Sequence, residues 1–139
     1  MRLRSCHPAD TESVVALWES IGLTRPWNDP RKDIARKLGV QPELFVVAIG
    51  DDDRIVGTVM AGYDGHRGWM NYLAARPGVR GTGVGPALVE HVEEALHALG
   101  CPKVSIQVRS SNAQVVAFYE HLGYSVDDAI DLGKRLIAD

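Results

Sequence analysis

The stretch "VRGTGVG" at residues 79–85 sets glycines and an arginine between a strand-forming segment and a helical pattern. A helix leaves its first N–H groups without intrahelical partners, and these donors bind anions such as phosphate. Glycines let a ligand approach the main chain closely, and glycines adopt unusual dihedral angles at little cost in free energy. Arg80 adds a positive charge at the entrance. The turn predicts a phosphate site, and a plain tight turn with helix-packing glycines is the alternative.

Two familiar phosphate-binding loops do not match this spacing. A Walker loop needs Lys and then Ser or Thr after its glycines, whereas Pro86 and Ala87 follow Gly85 here. A dinucleotide fingerprint needs its third glycine where Pro86 stands, and it belongs near a first β–α turn. Pro86 is tolerated in a first helical turn, where N–H groups lack partners. The spacing therefore excludes both loops.

Length and composition indicate one globular domain. The chain has 139 residues, of which 45% are hydrophobic and 24% charged, with a formal net charge of −3, as is typical of a chain with a single hydrophobic core. The charge argues against a nucleic-acid partner, because such domains carry a basic excess. No apolar run approaches the ~18 residues of a membrane span, and residues 1–10 lack the apolar centre of a signal peptide. We therefore expect a cytoplasmic protein without a membrane partner.

The residue types give no sign of a metal or of a disulfide scaffold. Cys6 and Cys101 are the only cysteines, too few and too far apart for either, and we expect free thiols. The acidic run at 51–53 lies where a hairpin turn is predicted, and a solvated turn explains it better than a cation site.

Hydrophobic periodicity predicts the elements that position the turn. Strands are predicted at 2–6, 44–49, 54–63, 69–75 and 103–108, with a last one between Tyr124 and Leu136. Helices are predicted to begin after Asp10, Asp29, Gly83 and Asn112. This order predicts an α/β (α+β) protein with about six strands in one mixed sheet and about four helices. The sheet is antiparallel through hairpins and parallel where helices cross over.

Two motifs resemble the GNAT N-acetyltransferase family. Arg80-x-x-Gly83-x-Gly85 looks like the pyrophosphate-binding motif of this family, and "NAQVVAFYEHLGY" at 112–124 is similar to its second signature. Between them lie a helix and a strand, as in the family. The resemblance implies a single GNAT domain over 1–139, with a splay between the fourth and fifth strands. Segments 25–30, 62–68 and 132–136 look like the small bacterial YpeA-type subgroup.

The resemblance implies transfer of an acetyl group from acetyl-CoA to a primary amine, by direct attack on the thioester. The diphosphate would lie on the glycine-rich turn and the pantetheine in the splay, where an N–H near Leu73 would polarise the thioester carbonyl. Pro86 departs from the pattern, since it cannot donate a hydrogen bond. The implied cosubstrate-binding residues are Leu73, Ala74, Ala75, Arg80, Gly81, Thr82, Gly83, Val84, Gly85, Asn112 and Tyr119.

The resemblance also suggests catalytic groups. Tyr119 matches a family tyrosine that protonates the leaving thiolate, and a phenol carries its proton at neutral pH. Its position on the apolar stripe of a helix also fits a core tyrosine. The general base stays open, because the strand at 69–75 contains no carboxylate. A water relay, Asp64, His66 and Tyr72 are the candidates.

The acceptor is the least determined part of the prediction. In this fold the segment at 25–29 borders the acceptor site, where Trp27 either walls the site or plugs the loop from below. A small-molecule or peptide amine is expected. The alternatives are a protein N-terminal acetyltransferase similar to the ribosomal-protein acetylating enzymes, and a non-catalytic acyl-CoA-binding regulatory module. The protein is expected to be a monomer or a homodimer.

Overall fold

The computed structural model describes all 139 residues. The five strands are β1 (Arg2–Ser5), β2 (Phe45–Ile49), β3 (Ile55–Tyr63), β4 (Gly68–Ala75) and β5 (Val104–Ile106). The four α-helices are α1 (Thr11–Ser20), α2 (Pro30–Leu38), α3 (Val84–Ala98) and α4 (Ala113–His121). None of these helices is both long and apolar enough to cross a bilayer.

The strands form one mixed sheet in the order β1-β2-β3-β4-β5. Each of the first four strands runs antiparallel to its neighbour, and β5 runs parallel to β4. The parallel pair needs a crossover, which α3 supplies between the two strands. The predicted mixed α/β sheet is therefore confirmed.

The core lies on both faces of the sheet, and β2 shows why. All five of its residues are buried, and they alternate between two apolar clusters. Val46 and Ala48 join the cluster that contains residues of α3 and α4, whereas Phe45, Val47 and Ile49 join the cluster that contains residues of α1 and α2. Successive side chains of a strand point to opposite faces. A continuous apolar run is therefore the sequence of a strand covered by helices on both sides.

The C-terminal segment does not form the predicted last strand between Tyr124 and Leu136, so the sheet has five strands rather than about six. Its carboxylates bind side chains near β5 instead: Asp127 pairs with Lys103 Nζ at 2.8 Å, and Asp131 accepts from Gln107 Nε2 at 2.7 Å. Its apolar side chains lie exposed, with Ile130 at 89%. An alternating pattern stabilises a strand only where one face is buried, and nothing covers this one.

The helix boundaries follow the predicted caps at two of the sites. Asp29 accepts from the Arg31 N–H at 2.9 Å, and Asn112 accepts from the Val115 N–H at 3.3 Å, so both residues cap their helices. Asp10 makes no side-chain capping bond to α1. Its carboxylate instead accepts from the Arg4 guanidinium at 2.7 Å.

The parallel pairing of β4 and β5 is short. β5 pairs only with Gly68, Trp69 and Met70, although β4 continues to Ala75. Residues 71–75 therefore keep β3 on one side and have no strand on the other. This open edge is the splay expected between the fourth and fifth strands, and its presence is confirmed.

A bulge bends β4 at the point where it leaves β5. Thr58 of β3 pairs with Ala74, and Met60 pairs with Asn71. One residue of β3 therefore lies opposite two residues of β4, Tyr72 and Leu73, which is the arrangement of a β-bulge. Tyr72 has a φ of 51°, a left-handed conformation that costs a non-glycine residue free energy. The surrounding contacts must therefore hold it in place.

Thr58 and Trp18 supply those contacts. The Thr58 hydroxyl donates to the Tyr72 carbonyl at 2.8 Å and accepts from Trp18 Nε1 at 2.9 Å. The Trp18 ring stacks on the Tyr72 ring, with centroids 3.8 Å apart. Thr58 is the one fully buried polar residue of the chain, so each lost bond would leave an unpaired buried group. The bulge is thus fixed from β3 and α1 together.

The substitution Thr58→Val tests this anchor. It removes the hydroxyl and leaves the Trp18 N–H and the Tyr72 carbonyl without partners, which should lower the free energy of unfolding by about 1–3 kcal/mol. Urea denaturation measures the change. The control is Thr11→Val at the start of α1, where the lost hydroxyl bond to the Pro8 carbonyl is open to solvent, so the loss should stay within about 0.5 kcal/mol. Equal stabilities for the two variants would contradict the anchoring role.

Candidate functional site

The open edge of β4 presents main-chain groups in alternation. Ala74 pairs with Thr58 of β3, and Arg76, two residues further on, donates its N–H to a β3 carbonyl at 2.8 Å. Antiparallel strands alternate hydrogen-bonded and non-hydrogen-bonded positions. The main-chain groups of Leu73 and Ala75 therefore point away from β3, into the gap, whereas those of Ala74 are taken up by the sheet. An extended ligand in the gap would meet Leu73 and Ala75.

The glycine-rich turn connects this edge to α3. Gly81 and Gly83 have φ values of 85° and 89°, and nothing lies within 4 Å of where their Cβ atoms would be. Only glycine adopts this region freely. Their conformation, and not crowding, therefore requires glycine at these two positions.

Gly85 has a different role. A Cβ added there would lie 3.3 Å from Cζ of Phe118, and its φ is not positive. The residue lets α3 pack closely on α4. This close approach fits the helix-packing explanation that the sequence left open, and it leaves the Gly85 N–H without a protein partner.

Four main-chain N–H groups of the turn have no partner within the protein. They belong to Gly81, Gly83, Val84 and Gly85. The first two donate to no group in the turn, and the last two lie in the first turn of α3, where N–H groups have no acceptor within the helix. The N–H groups of Arg80 and Thr82 are used inside the turn, toward Pro77 and Val79 respectively. Free main-chain donors at the start of a helix, with an arginine beside them in the chain, are the kind of groups that bind an anion.

Tyr119 lies on α4 within the apolar cluster on the α3 face, with 7% of its surface exposed. Its ring makes edge contacts with Phe118 and Tyr124. Burial raises the pKa of the Tyr119 phenol to about 12. It is thus both a core residue and a protonated phenol.

Tyr119 is also the one tyrosine whose hydroxyl makes no hydrogen bond within the protein. Tyr63, Tyr72 and Tyr124 donate to Gly65, Asp33 and Glu93 respectively. No fully buried side-chain polar atom lacks a partner, so the Tyr119 hydroxyl reaches solvent. A free, protonated hydroxyl of this kind can donate a proton to a ligand.

A polar cleft of about 290 Å³ lies on the other side of the bulge. It is bordered by the α1–α2 loop, α2, the bulged part of β4 and the segment after β5. Its lining residues are Leu23, Arg25, Trp27, Asn28, Asp33, Asn71, Tyr72 and Arg109. Trp27 is 53% exposed, so it borders the cleft as a wall and does not plug the loop from below.

Asp33 organises one side of this cleft, and sequence reasoning missed it. Its Oδ2 accepts from the Tyr72 hydroxyl at 2.7 Å and from Asn28 Nδ2 at 2.6 Å. Its Oδ1 accepts from the Arg36 guanidinium at 2.7 Å. Burial, and then the Asp33 carboxylate, raise the pKa of the Tyr72 phenol. Tyr72 therefore holds its proton and is a poor candidate for a base.

The other candidate bases lie elsewhere. Asp64 and His66 stand on the β3–β4 hairpin before Gly68, at the end of β4 that is paired with β5. The Asp64 carboxylate accepts from the N–H groups of Arg67 and His66, and these bonds lower its pKa. Neither residue lines the cleft.

Comparison with known proteins identifies the family of the chain. The sequence model of the Acetyltransferase (GNAT) family matches residues 12–124. A protein of Yersinia enterocolitica named acetyltransferase is 51% identical over 139 residues, covering 100% of this chain and 98% of that protein. A Pectobacterium atrosepticum protein, also named acetyltransferase, is 50% identical with the same coverage.

Solved structures share the fold. Ard1 from Thermoplasma volcanium superposes with a TM-score of 0.81 at 24% identity, over 91% of this chain and 83% of that one. Chaetomium thermophilum Naa20, solved with a bisubstrate analogue, gives a TM-score of 0.77 at 23% identity, over 91% of this chain and 72% of that one. The family match spans most of the chain, and the relatives cover all of it. The chain belongs to the GNAT acetyltransferase family and is an N-acetyltransferase.

Proposed function

We propose that this protein takes the acetyl group of acetyl-CoA and transfers it to the primary amine of a small molecule bound in the polar cleft. The observation that carries the proposal is the early end of the β4–β5 pairing after Met70. It leaves an open strand edge that runs toward four free N–H groups at the start of α3. An elongated ligand with a diphosphate at one end and an amide-containing arm at the other fits such a surface.

The cosubstrate-binding residues have two kinds of role in this proposal. The N–H groups of Gly81, Gly83, Val84 and Gly85 bind the diphosphate, and Arg80 adds charge at the rim. Thr82 shapes the turn, because both its N–H and its hydroxyl donate to the Val79 carbonyl.

The open edge of β4 takes the rest of the cosubstrate. Leu73 and Ala75 pair with the pantetheine arm in the manner of an added strand, and Ala74 holds this edge on β3. Asn112 caps α4 and so positions Tyr119.

The reaction is a direct transfer. The amine nitrogen attacks the thioester carbonyl, whose oxygen is stabilised by the Leu73 N–H, so that a C–N bond forms and the C–S bond breaks. The CoA thiolate takes the phenol proton of Tyr119. The proton released by the amine passes to water in the open cleft, and solvent returns one to Tyr119.

The volume of the cleft fits a small acceptor. At about 290 Å³ it lies at the lower limit of ligand pockets, which span ~300–1,000 Å³. In this proposal the free amine enters through the cleft, and acetyl-CoA binds along the open edge of β4. The two substrates therefore approach the bulge from different sides. A screen of acceptors separates the two cases: small amines are acetylated if this proposal holds, and peptide N-termini are acetylated if the acceptor is a protein.

Binding of acetyl-CoA tests the turn. In Gly81→Ala and Gly83→Ala the added Cβ disfavours the left-handed φ by about 1–2 kcal/mol, so the free turn relaxes and must be restored on binding. We expect the Kd for acetyl-CoA, measured by calorimetry, to rise roughly 5- to 30-fold. Gly78→Ala, in the same loop and with open space around it, is the matched control. Equal Kd values for all three variants would argue against a diphosphate on these amides.

The substitution Tyr119→Phe tests the proton donor. We expect kcat to fall by about 10²-fold, with the Kd for acetyl-CoA within about twofold of the wild type, because the hydroxyl acts on the leaving thiolate only. The control Tyr63→Phe removes a hydroxyl from the hairpin and should keep full activity. A Tyr119→Phe enzyme with wild-type kcat would remove this residue from the mechanism.

The pH profile gives an independent check. Burial raises the pKa of Tyr119 to about 12, above the ordinary ~10, so the phenol keeps its proton as the amine substrate loses its own. Wild-type kcat should therefore rise with pH and show no falling limb below about pH 11. Stability to alkali is followed in parallel by circular dichroism. A loss of kcat centred near pH 9 in the folded enzyme would contradict the assignment.

A further inference from the structure

We propose that the acceptor carries an anionic group, a carboxylate or a phosphate, beside its primary amine, and that Arg25 and Arg109 bind this group. The inference rests on the proposed function and identifies the class of amine that the cleft selects. It follows from the charges that line the cleft and from how each of them is paired.

The one carboxylate that lines the cleft already has protein partners on both of its oxygens. Asp33 pairs with Arg36 at 2.7 Å, and its other oxygen accepts from Tyr72 and Asn28. Arg36 also pairs with Asp139 at 3.0 Å, so it is shared by two carboxylates, and both oxygens of Asp33 are occupied by protein donors. A polyamine would therefore find no free carboxylate among the residues that line the cleft.

Two positive charges of the cleft have no such partner. Arg25 and Arg109 both line it, and neither forms an ion pair with a carboxylate. A guanidinium binds a carboxylate or phosphate through two parallel N–H···O bonds. The cleft is thus built with uncompensated donors for an anion.

Arg25 is held ready for such a ligand. Its Nη1 donates to the carbonyls of Gly22 at 2.7 Å and Thr24 at 2.9 Å, which leaves Nε and Nη2 without protein partners. Its own carbonyl accepts from the Asn28 N–H at 3.1 Å, closing a tight turn over Pro26 and Trp27. Because the side chain is fixed before binding, little conformational entropy is lost on capture of an anion.

Arg109 lines the cleft from another part of the chain. It follows β5 by three residues, whereas Arg25 lies in the loop between α1 and α2, so the two guanidinium groups border one cleft from separate elements. Asn71 lines the same cleft and is the first residue of β4 beyond its pairing with β5. The amine is thus placed at Asn71 and the bulge, next to the thioester, and the anion is placed at the arginines.

The size of the cleft agrees with this assignment. A volume of about 290 Å³ holds an amino acid or a small phosphorylated amine, near the lower limit of ligand pockets at ~300 Å³. The exposed ring of Trp27 provides an apolar surface at the mouth for the remainder of the molecule.

The test compares matched acceptors that differ only in the anion. A panel of α-amino acids is assayed beside the corresponding amides and decarboxylated amines, and O-phosphoethanolamine is assayed beside ethanolamine. Spermidine represents the polycations. We expect kcat/KM to be at least about tenfold higher for the anionic member of a set, and the two arms distinguish a carboxylate from a phosphate.

Variants assign the preference to the two arginines. Arg25→Gln and Arg109→Gln should each lower the anionic-to-neutral ratio of kcat/KM by about tenfold or more, through KM of the acceptor, with the KM for acetyl-CoA unchanged. Arg54→Gln, an exposed arginine on the β2–β3 hairpin, is the matched control. The inference is overturned if neutral amines or spermidine are turned over better than the anionic acceptors. It is also overturned if the anionic-to-neutral ratio is unchanged in the double variant Arg25→Gln and Arg109→Gln.

Direct binding keeps this inference separate from the proposed function. If acetyl-CoA binds and amines are acetylated without regard to an anion, only the inference fails. If acetyl-CoA does not bind, the proposed function fails. In that case calorimetry with the same acids and their amides still decides whether the arginine pair recognises an anion, because tighter binding of the acid must disappear in the double variant.

Discussion

The structure depends on the point at which β4 stops pairing with β5. Three residues of β4 are bonded to β5, and the bulge at Tyr72 then turns the strand away. A parallel pair that continued to Ala75 would consume the donors and acceptors that now face the gap. Thr58 and Trp18 stabilise this departure from inside the core. The site therefore depends on how the sheet is anchored. The bulge in β4 positions both the open strand edge on one side and the polar cleft on the other.

Two physical devices meet at that bend. On one side, glycines in left-handed conformation free a set of amides at the start of α3, and Gly57 of β3 lets the helix approach, since a Cβ there would lie 2.7 Å from Val84. On the other side, Asp33 ties α2 to the Tyr72 hydroxyl, and two arginines that form no ion pair line the same small cleft. In the proposed function, the main-chain amides that bind the anion and the side chains that select the acceptor therefore belong to different elements.

Local patterns predicted much of this arrangement. The glycine-rich turn, the cap at Asn112, the doubly buried strand and the mixed sheet are each encoded within a few neighbouring residues, and the GNAT resemblance supplied the splay. Three features needed long-range contacts that no local pattern contains. Asp33 meets Tyr72 across 39 positions of sequence. The orientation of Ala74 depends on its register with β3. The C-terminal segment is predicted to contain a strand, yet no neighbour covers its apolar side chains.

Amide hydrogen exchange followed by NMR, with and without CoA, tests most directly whether the β4 edge and the turn bind one ligand. In the free protein the Leu73 and Ala75 amides should exchange rapidly, while Ala74, bonded to β3, exchanges slowly. Saturating CoA should slow Leu73 or Ala75, together with Gly83 and Val84, by at least about tenfold. Leu73 and Ala75 amides that are already protected without CoA, or protection that develops only at the β3–β4 hairpin, would contradict this account.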